Sequence, residues 1–367
     1  VEGMGISMRQ QFWQGKRVLI TGNTGFKGSW LSLWLTHLGA EVFGFALEPK
    51  NPSLFKLLRL DQSMAYTFGD VRDTDRVVKA VSELKPEIIF HLAAQSLVRP
   101  SYTDPVTTFS TNIMGTVSIM EAARLQDHVR VLINVTSDKC YENKEWIWPY
   151  RETDPMGGHD PYSSSKGCSE LVTSAYHKSF FDKGNRDIAI ASARAGNVIG
   201  GGDWAADRLI PDILNALSEN RNIVLRNPNA IRPWQHVLEA LGGYLLLAEK
   251  VWENKDLSGA WNFGPSPSAE TAVVNVASKL VQFWGQSRSK VIYDTLENPH
   301  EAMTLKLDST KAHFLLNWKP RLTLDESLKW IVDWHRQYLQ QENMHHVTLE
   351  QIVKYEKCSS SELRSRS

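Results

Sequence analysis

Short, uniformly apolar runs alternate with amphipathic stretches through the first half of the chain. Val18 to Thr21 reads as a buried strand, and Val42 to Leu47 as the next. Between them Trp30, Leu31, Trp34, Leu35 and Leu38 recur at helical spacing, and Gly39 closes that helix. Asp70-Val71 stand at the end of a short third strand. Thr74 is the expected N-cap of a helix ending near Leu84, and Pro86 separates it from a strand over Ile88 to Ala93. Pro105 opens a longer helix through Met120, Val129 to Val135 is a further strand, and Ile188 to Ala193 another. A helix carrying Tyr162 and Lys166 lies between those two. Strands that are apolar throughout, rather than alternating, are covered on both faces. The β-α-β order therefore predicts an α/β fold with a doubly wound parallel sheet over residues 15–195, whose ligands sit beyond the carboxyl ends of the strands.

After about Gly196 the alternation breaks into loops and scattered helices, as in Gly200-Gly201-Gly202-Asp203 and Asn227-Pro228-Asn229. Residues 196–343 are expected to form a smaller, loop-rich C-terminal substrate lobe, some of whose segments return to the sheet. Residues 1 to about 14 read as a loose lead-in, and 344–367 as a weakly structured tail. Composition narrows the class. Of the 367 residues 42% are hydrophobic and 22% charged, and Lys+Arg balances Asp+Glu at 41 each. Nothing argues for a nucleic-acid or membrane partner, so a substrate phosphate must be met by a few placed arginines or by backbone amides. No apolar run is long enough to span a bilayer and no signal peptide is expected. Cys140, Cys168 and Cys358 match neither a metal site nor a disulfide framework, which points to a cytoplasmic protein without a bound metal.

Candidate chemistry begins at the first strand. Thr21-Gly22-Asn23-Thr24-Gly25-Phe26-Lys27-Gly28 joins that strand to the first helix. Glycines at 22, 25 and 28 permit a tight turn, close approach to a pyrophosphate, and close helix–strand packing, as in a Rossmann-type dinucleotide site. Gly22, Asn23, Thr24, Gly25, Phe26 and Gly28 are the cofactor loop. Glu48 lies where an acidic residue takes the ribose hydroxyls, which favours NAD; Lys50 close by keeps NADP open. Asp70 and Val71 are placed to read the adenine edge. Leu92, Ala93 and Ala94 offer a small-residue wall. Farther on, the strand ending at Val135 runs into Thr136-Ser137-Asp138-Lys139, and Tyr162 and Lys166 stand four residues apart. A serine hydroxyl and a phenol can hold a sugar-type alcohol, and the lysine can lower the phenol's pKa. Asp138 and Lys139 form a second proton-transfer pair that simple alcohol oxidation does not need.

The glycine pattern, the small-residue strand end and the Ser followed by Tyr-x-x-x-Lys together resemble the extended short-chain dehydrogenase/reductase family over nearly the whole chain. Thr136 to Asn143, Asn197 to Trp204, Arg232-Pro233-Trp234-Gln235-His236-Val237, Trp261 to Pro265 and Pro299-His300-Glu301-Ala302 are similar to its nucleotide-sugar 4,6-dehydratases, most of all to the branch acting on CDP-glucose. The resemblance implies an NAD-dependent conversion of CDP-glucose to CDP-4-dehydro-6-deoxyglucose and water, with no net redox change, in deoxysugar and surface polysaccharide (O-antigen) synthesis. By it, Tyr162 takes the C4 hydroxyl proton and Lys166 supports the phenolate. Ser137 orients the hydroxyl, and Asp138 protonates the departing C6 hydroxyl. Lys139 stands where related dTDP-glucose enzymes carry a glutamate base, so two roles are open to it, C5 base or cation beside a developing enolate. Arg232 is the first choice for the substrate pyrophosphate and Arg208 the second. Asn197 and His300 belong to the same binding lobe. Gln95 and Arg99 are candidates for the hexose, with a surface salt bridge an equal reading of Arg99. A homodimer or homotetramer is implied. The competing readings are an NAD-dependent nucleotide-sugar 4-epimerase, from which Asp138 is the discriminator, and a non-catalytic dinucleotide-binding sensor.

Overall fold

The computed structural model describes residues 8–182, 188–294 and 302–358. In chain order its strands are β1 (Arg17–Thr21), β2 (Glu41–Ala46), β3 (Ala65–Phe68), β4 (Ile88–His91), β5 (Val131–Val135), β6 (Ala189–Ala195), β7 (Asn197–Ile199), β8 (Ile223–Leu225), β9 (Ile231–His236), β10 (Gly259–Phe263), β11 (Glu270–Ala272) and β12 (Val291–Tyr293). Seven of them form the central sheet in the order β10-β6-β5-β4-β1-β2-β3. Every pairing in it is parallel; Val18, for example, faces Val42 on one side and Ile88 on the other. The chain winds outward from β1 in both directions, as the apolar runs predict.

The two faces are sorted by strand alternation. Val18, Ile20, Ile88, Phe90, Val131 and Ile133 turn to one side, where Trp30, Leu31, Trp34, Leu241, Tyr244 and Leu245 cover them. Leu19, Phe43, Ile89, Leu132 and Ile190 turn to the other, under Val77, Val81 and Ile119. The covering helices are Phe26–His37 and Val237–Glu253 on the first face, Thr74–Leu84 and Gly115–Arg124 on the second. The helix opened by Pro105 is continuous to Arg124 through a π-turn at Ser110–Met114. The N-cap of the 74–84 helix is Asp73 rather than Thr74, its side chain accepting from the Arg76 amide at 3.1 Å.

Beyond β6 the lobe builds its own small sheets, β11-β9-β7 and β12-β8, around Ile210, Ile213, Leu217, Val276 and Leu280. Its strand β10 leaves that lobe and completes the central sheet beside β6.

Two expectations at the ends are overturned. Met8–Trp13 is helical, and the Trp13 indole, fully buried, donates to Glu249 at 2.7 Å. Met344–Lys357 is a helix, capped by Asn343, that lies on the core with Met344, Val347, Ile352 and Tyr355 buried. Its inner face also holds Thr348 and Gln351, which accept from the Trp334 indole and donate to the Trp330 carbonyl, both at 2.9 Å. Those polar residues interrupt the apolar stripe and conceal the helix from a periodicity reading. Residues 359–367 lie outside the described residues. Ile352→Ala should cost about 2–5 kcal/mol in denaturant unfolding; no change in the midpoint would show that this helix does not belong to the folded core.

Candidate active site

The parallel arrangement gathers the carboxyl ends of β1, β4, β5 and β6 along one edge. At the end of β1, Gly22 has φ +75°, and a Cβ there would meet the Ala93 amide nitrogen at 2.8 Å. A Cβ on Gly28 would stand 2.1 Å from the Gly22 carbonyl oxygen, whereas Gly25 has only that oxygen at 3.3 Å. The loop is thus closed on its protein side and open at Gly25, where a phosphate would approach the amino end of the 26–37 helix. Thr24 Oγ1 donates to the Leu47 carbonyl at 3.0 Å and ties the loop to the end of β2, beside the exposed Glu48. Asn23 is buried, with neither side-chain polar atom hydrogen-bonded. Phe26 packs under Gly200. The backbone amides of Leu92 and Ala93 are spent on the Thr21 carbonyl and hydroxyl, and His91 Nδ1 shares that hydroxyl at 2.7 Å. Ala94 follows them on the same strand end. These residues fit a dinucleotide. Asp70, at the β3 end, has a close partner of its own. Both its carboxylate oxygens are engaged by Arg72, at 2.6 to 2.9 Å, which holds the carboxyl below its usual range, and Val71 packs into the core against Gly115. The Asp70 side chain keeps 29% exposure, so its carboxylate has room to accept a further donor.

The end of β5 carries the densest chemistry. Ser137, extended, caps a single 3-10 turn over Asp138–Cys140, accepting from the Lys139 amide at 3.3 Å while its hydroxyl donates to Asp138 Oδ1 at 2.9 Å. Asp138 is 2% exposed and its Oδ2 has no partner. Burial pushes its carboxyl up, against the opposing pull of Lys139, the Ser137 hydroxyl, Arg232 and Lys27. The helix Pro161–Tyr176, capped by Asp160, presents Tyr162 and Lys166 to the same place. Burial raises the Tyr162 phenol to about 12, with Ser137 and Arg208 lowering it and Asp138 raising it. The phenol thus stands above its ordinary value, where the sequence reading expected it below. Lys166 itself is pulled down to about 8 by burial and donates to the Val135 carbonyl at 3.4 Å.

On the lobe side, Arg232 in β9 is buried and acts on Asp138, with Nη1 donating to the Ile231 and Met303 carbonyls at 3.0 and 3.3 Å. Arg208 pairs with Asp203 at 2.7 Å and reaches Ser96 at 3.2 Å, bridging the lobe to the β4 end. Asn197 opens β7, paired opposite Trp234. Arg99 lies 3.7 Å from Asp207, the salt bridge that was one reading of it. Gln95 is a correction. Its amide nitrogen donates to the Leu97 carbonyl and Thr108 hydroxyl, both at 2.9 Å, and its oxygen accepts from the Leu97 amide at 2.6 Å, so it braces its own loop rather than facing a hexose. His300 lies outside the described residues.

Two groups escaped the sequence reading. Lys27, in the middle of the glycine loop, is pulled down to about 7 by burial with Arg208 and Lys166 nearby, against Asp138 and Asp203. A charged residue at a position flanked by the loop's glycines was the available signal. Glu170, one turn beyond Lys166, is buried beneath the β5 end and paired with Arg194 at 2.8 Å. A lone glutamate on a helix carries no such signal.

The sequence profile of the GDP-mannose 4,6 dehydratase family matches residues 19–331. The CDP-glucose 4,6-dehydratase of Salmonella typhimurium is 52% identical over 340 residues, covering 91% of this chain and 94% of that protein. The human dTDP-D-glucose 4,6-dehydratase is 25% identical over 88% of this chain and 90% of its own length. Among solved structures, a dTDP-glucose 4,6-dehydratase from Streptomyces venezuelae with NAD bound superposes with a TM-score of 0.76 at 22% identity, over 89% of this chain and 98% of that one. A UDP-glucose 4-epimerase from Thermotoga maritima with UDP-glucose gives the same TM-score at 22% identity, over 88% and 99%.

The buried acid makes a stability prediction. Asp138, with its folded pKa above the unfolded value of about 3.9, adds stability that is complete below that value and lost as pH rises through the raised one. Asp138→Asn should therefore melt higher than the unmodified protein at pH 7, by roughly 2 °C or more, with the gap closing towards pH 4. Melting curves that stay parallel across this range would contradict the raised pKa.

Proposed function

This chain belongs to the GDP-mannose 4,6 dehydratase family, and on that footing we propose that it is an NAD-dependent hydro-lyase converting CDP-glucose to CDP-4-dehydro-6-deoxyglucose and water. The observation that carries the reading is Asp138, a buried carboxyl one residue from Ser137 and electrostatically coupled to Tyr162. Oxidation at C4 needs only the serine, tyrosine and lysine. A second acid, its carboxyl pushed up by burial, is the kind of group required to expel a hydroxyl from C6.

NAD, when bound, would supply the reversible hydride acceptor that the oxidation at C4 and the reduction at C6 require. Gly22, Asn23, Thr24, Gly25, Phe26 and Gly28 would hold it, with Glu48 at the ribose hydroxyls and Lys166 at the nicotinamide end. Ser137 orients the C4 hydroxyl and Tyr162 accepts its proton. That phenol, standing near 12 without ligands, must be brought down when the site is filled, and Arg208 and the Ser137 hydroxyl already act in that direction. The resulting 4-keto group acidifies the C5 proton. Lys139, partly buried beside Asp138, takes that proton or steadies the enolate, while Asp138 protonates the leaving C6 hydroxyl. Arg232 and Arg208 meet the substrate diphosphate, with Asn197 beside it.

The assembly and location follow the same reading. No helix among the described residues is long and apolar enough to cross a membrane. The helices over 105–124 and 161–176 leave Val106, Met114 and Leu171 exposed, at 76%, 48% and 59%, which supports a homodimer or homotetramer closed through these faces. We assign the enzyme to the cytoplasm and to deoxysugar supply for surface polysaccharide.

Incubation with CDP-, UDP-, dTDP- and GDP-glucose should give the alkali-induced absorbance of a 4-keto-6-deoxy sugar with CDP-glucose. Its absence with added NAD, or the appearance of a CDP-galactose instead, would overturn the assignment. In Asp138→Asn, hydride transfer to NAD should survive while elimination slows by about 10²–10⁴; loss of oxidation with elimination intact would remove Asp138 from its role.

A further inference from the structure

The Tyr162 helix carries a second charged side chain that neither oxidation nor elimination calls for. Glu170 is 5% exposed and lies one helical turn past Lys166 on the same face. Its carboxylate gathers three donors, from the end of β5 and from β6. Thr136, immediately before Ser137, donates to Oε1; Ser192 donates to Oε2 at 2.7 Å; and Arg194 Nη2, also in β6, donates to Oε2 at 2.8 Å. Arg194 Nη1 extends the chain to the Tyr141 hydroxyl at 2.7 Å, and Tyr141 donates to Asn262 Oδ1 in β10 at 2.7 Å. The network thus runs under the whole Thr136–Tyr141 turn and ends in the strand that the lobe contributes to the sheet.

We infer that Glu170 is a positioning residue, the counter-charge of the Lys166 ammonium and the clamp on the turn that presents Ser137 and Asp138. This deepens the proposed dehydratase reading and rests on it for the roles of Lys166 and Asp138. The charges facing Lys166 decide the point. Cys140 and Glu170 are the groups that favour its charged form, and burial keeps the Cys140 thiol protonated. His91 on β4 and Lys27 on the glycine loop also feel Lys166, and each is pulled down in part by it, so neither helps to hold its proton. Glu170 alone of these is an anion. Burial pushes its own carboxyl up, but the Arg194 charge and the three hydrogen bonds outweigh that and hold it below the usual range. Neutralising Glu170 would remove the leading charge that favours the Lys166 ammonium and leave burial to draw its pKa down further.

The test reads Lys166 directly. Lysine Cε–Hε NMR of the unliganded full chain, with the Lys166 signal identified by its loss in Lys166→Arg, should give a midpoint near 8 in the unmodified protein. Glu170→Gln should lower it by at least ~1 pH unit, and Glu170→Asp, which keeps the charge, should restore it. If the single variant does not fold, Glu170→Gln with Arg194→Met removes both partners of the buried pair and should still lower the midpoint, because the carboxylate that favours the Lys166 ammonium is gone in either variant. Thr136→Val keeps the charge and loosens the turn, so it should leave the midpoint in place and lower kcat with little change in KM. A folded Glu170→Gln protein, single or double variant, whose Lys166 midpoint is unmoved would overturn the inference. That titration needs no substrate, so its outcome stands apart from whether CDP-glucose is turned over.

Discussion

A sheet whose strands all run the same way has every carboxyl end on one edge, and the chemistry of this protein is a consequence of that constraint. Each parallel strand needs a crossover to return the chain, and each crossover lays a helix against a face. The ends of β1, β4, β5 and β6 therefore emerge side by side into a crevice walled by helices. Gly22, His91, Thr136 and Gly196 leave the sheet within reach of one another although they are spread over much of the sequence. A Cβ on Gly196 would lie 3.3 Å from Asp138 Oδ2, which is a measure of how closely the β5 and β6 ends converge.

Charge fills that crevice unevenly. Lys27, Lys166, Arg208 and Arg232 face it, against Asp138 and Asp203, while Glu170 is matched by Arg194. The unbalanced cations suit a site built for diphosphates, which arrive with their own negative charge. Two of the ionisable groups are pulled towards neutrality from opposite sides, Lys27 down and Asp138 up. A filled site would change both environments, so ligand binding and proton uptake are linked here as a matter of electrostatics.

What the sequence disclosed and what it hid follow from the same physics. Uninterrupted apolar runs gave away β1, β2, β4, β5 and β6, and glycine spacing gave away the loop after β1. Ser137, Asp138, Tyr162 and Lys166 converge because one strand end and one helix carry them. The strand β10 was hidden by Asn262, wholly buried yet polar, whose amide donates to the Tyr150 and Asp308 carbonyls. Thr348 and Gln351 hid the last helix in the same way. Gln95 misled because nothing local says that Leu97 and Thr108 will claim its amide. Side chains whose partners lie far away in sequence are the ones that periodicity and spacing cannot place.

The position of β10 also has a consequence for how the chain is made. A polypeptide emerging from its amino end can assemble β1 to β6 in order, each new strand docking on a sheet already begun. The outer edge of β6 stays bare until Gly259–Phe263 arrives, after the whole β7–β9 region has been synthesised. The helix that seals Trp34 is later still, since Tyr355 meets that ring edge-on at a centroid distance of 5.6 Å. During translation the growing chain therefore carries an open strand edge and an uncovered tryptophan face, the surfaces on which chaperones and stray partners act. Residues 17–195 carry six of the seven sheet strands, and the sheet is protected only once the stretch from Gly259 to Lys357 has followed.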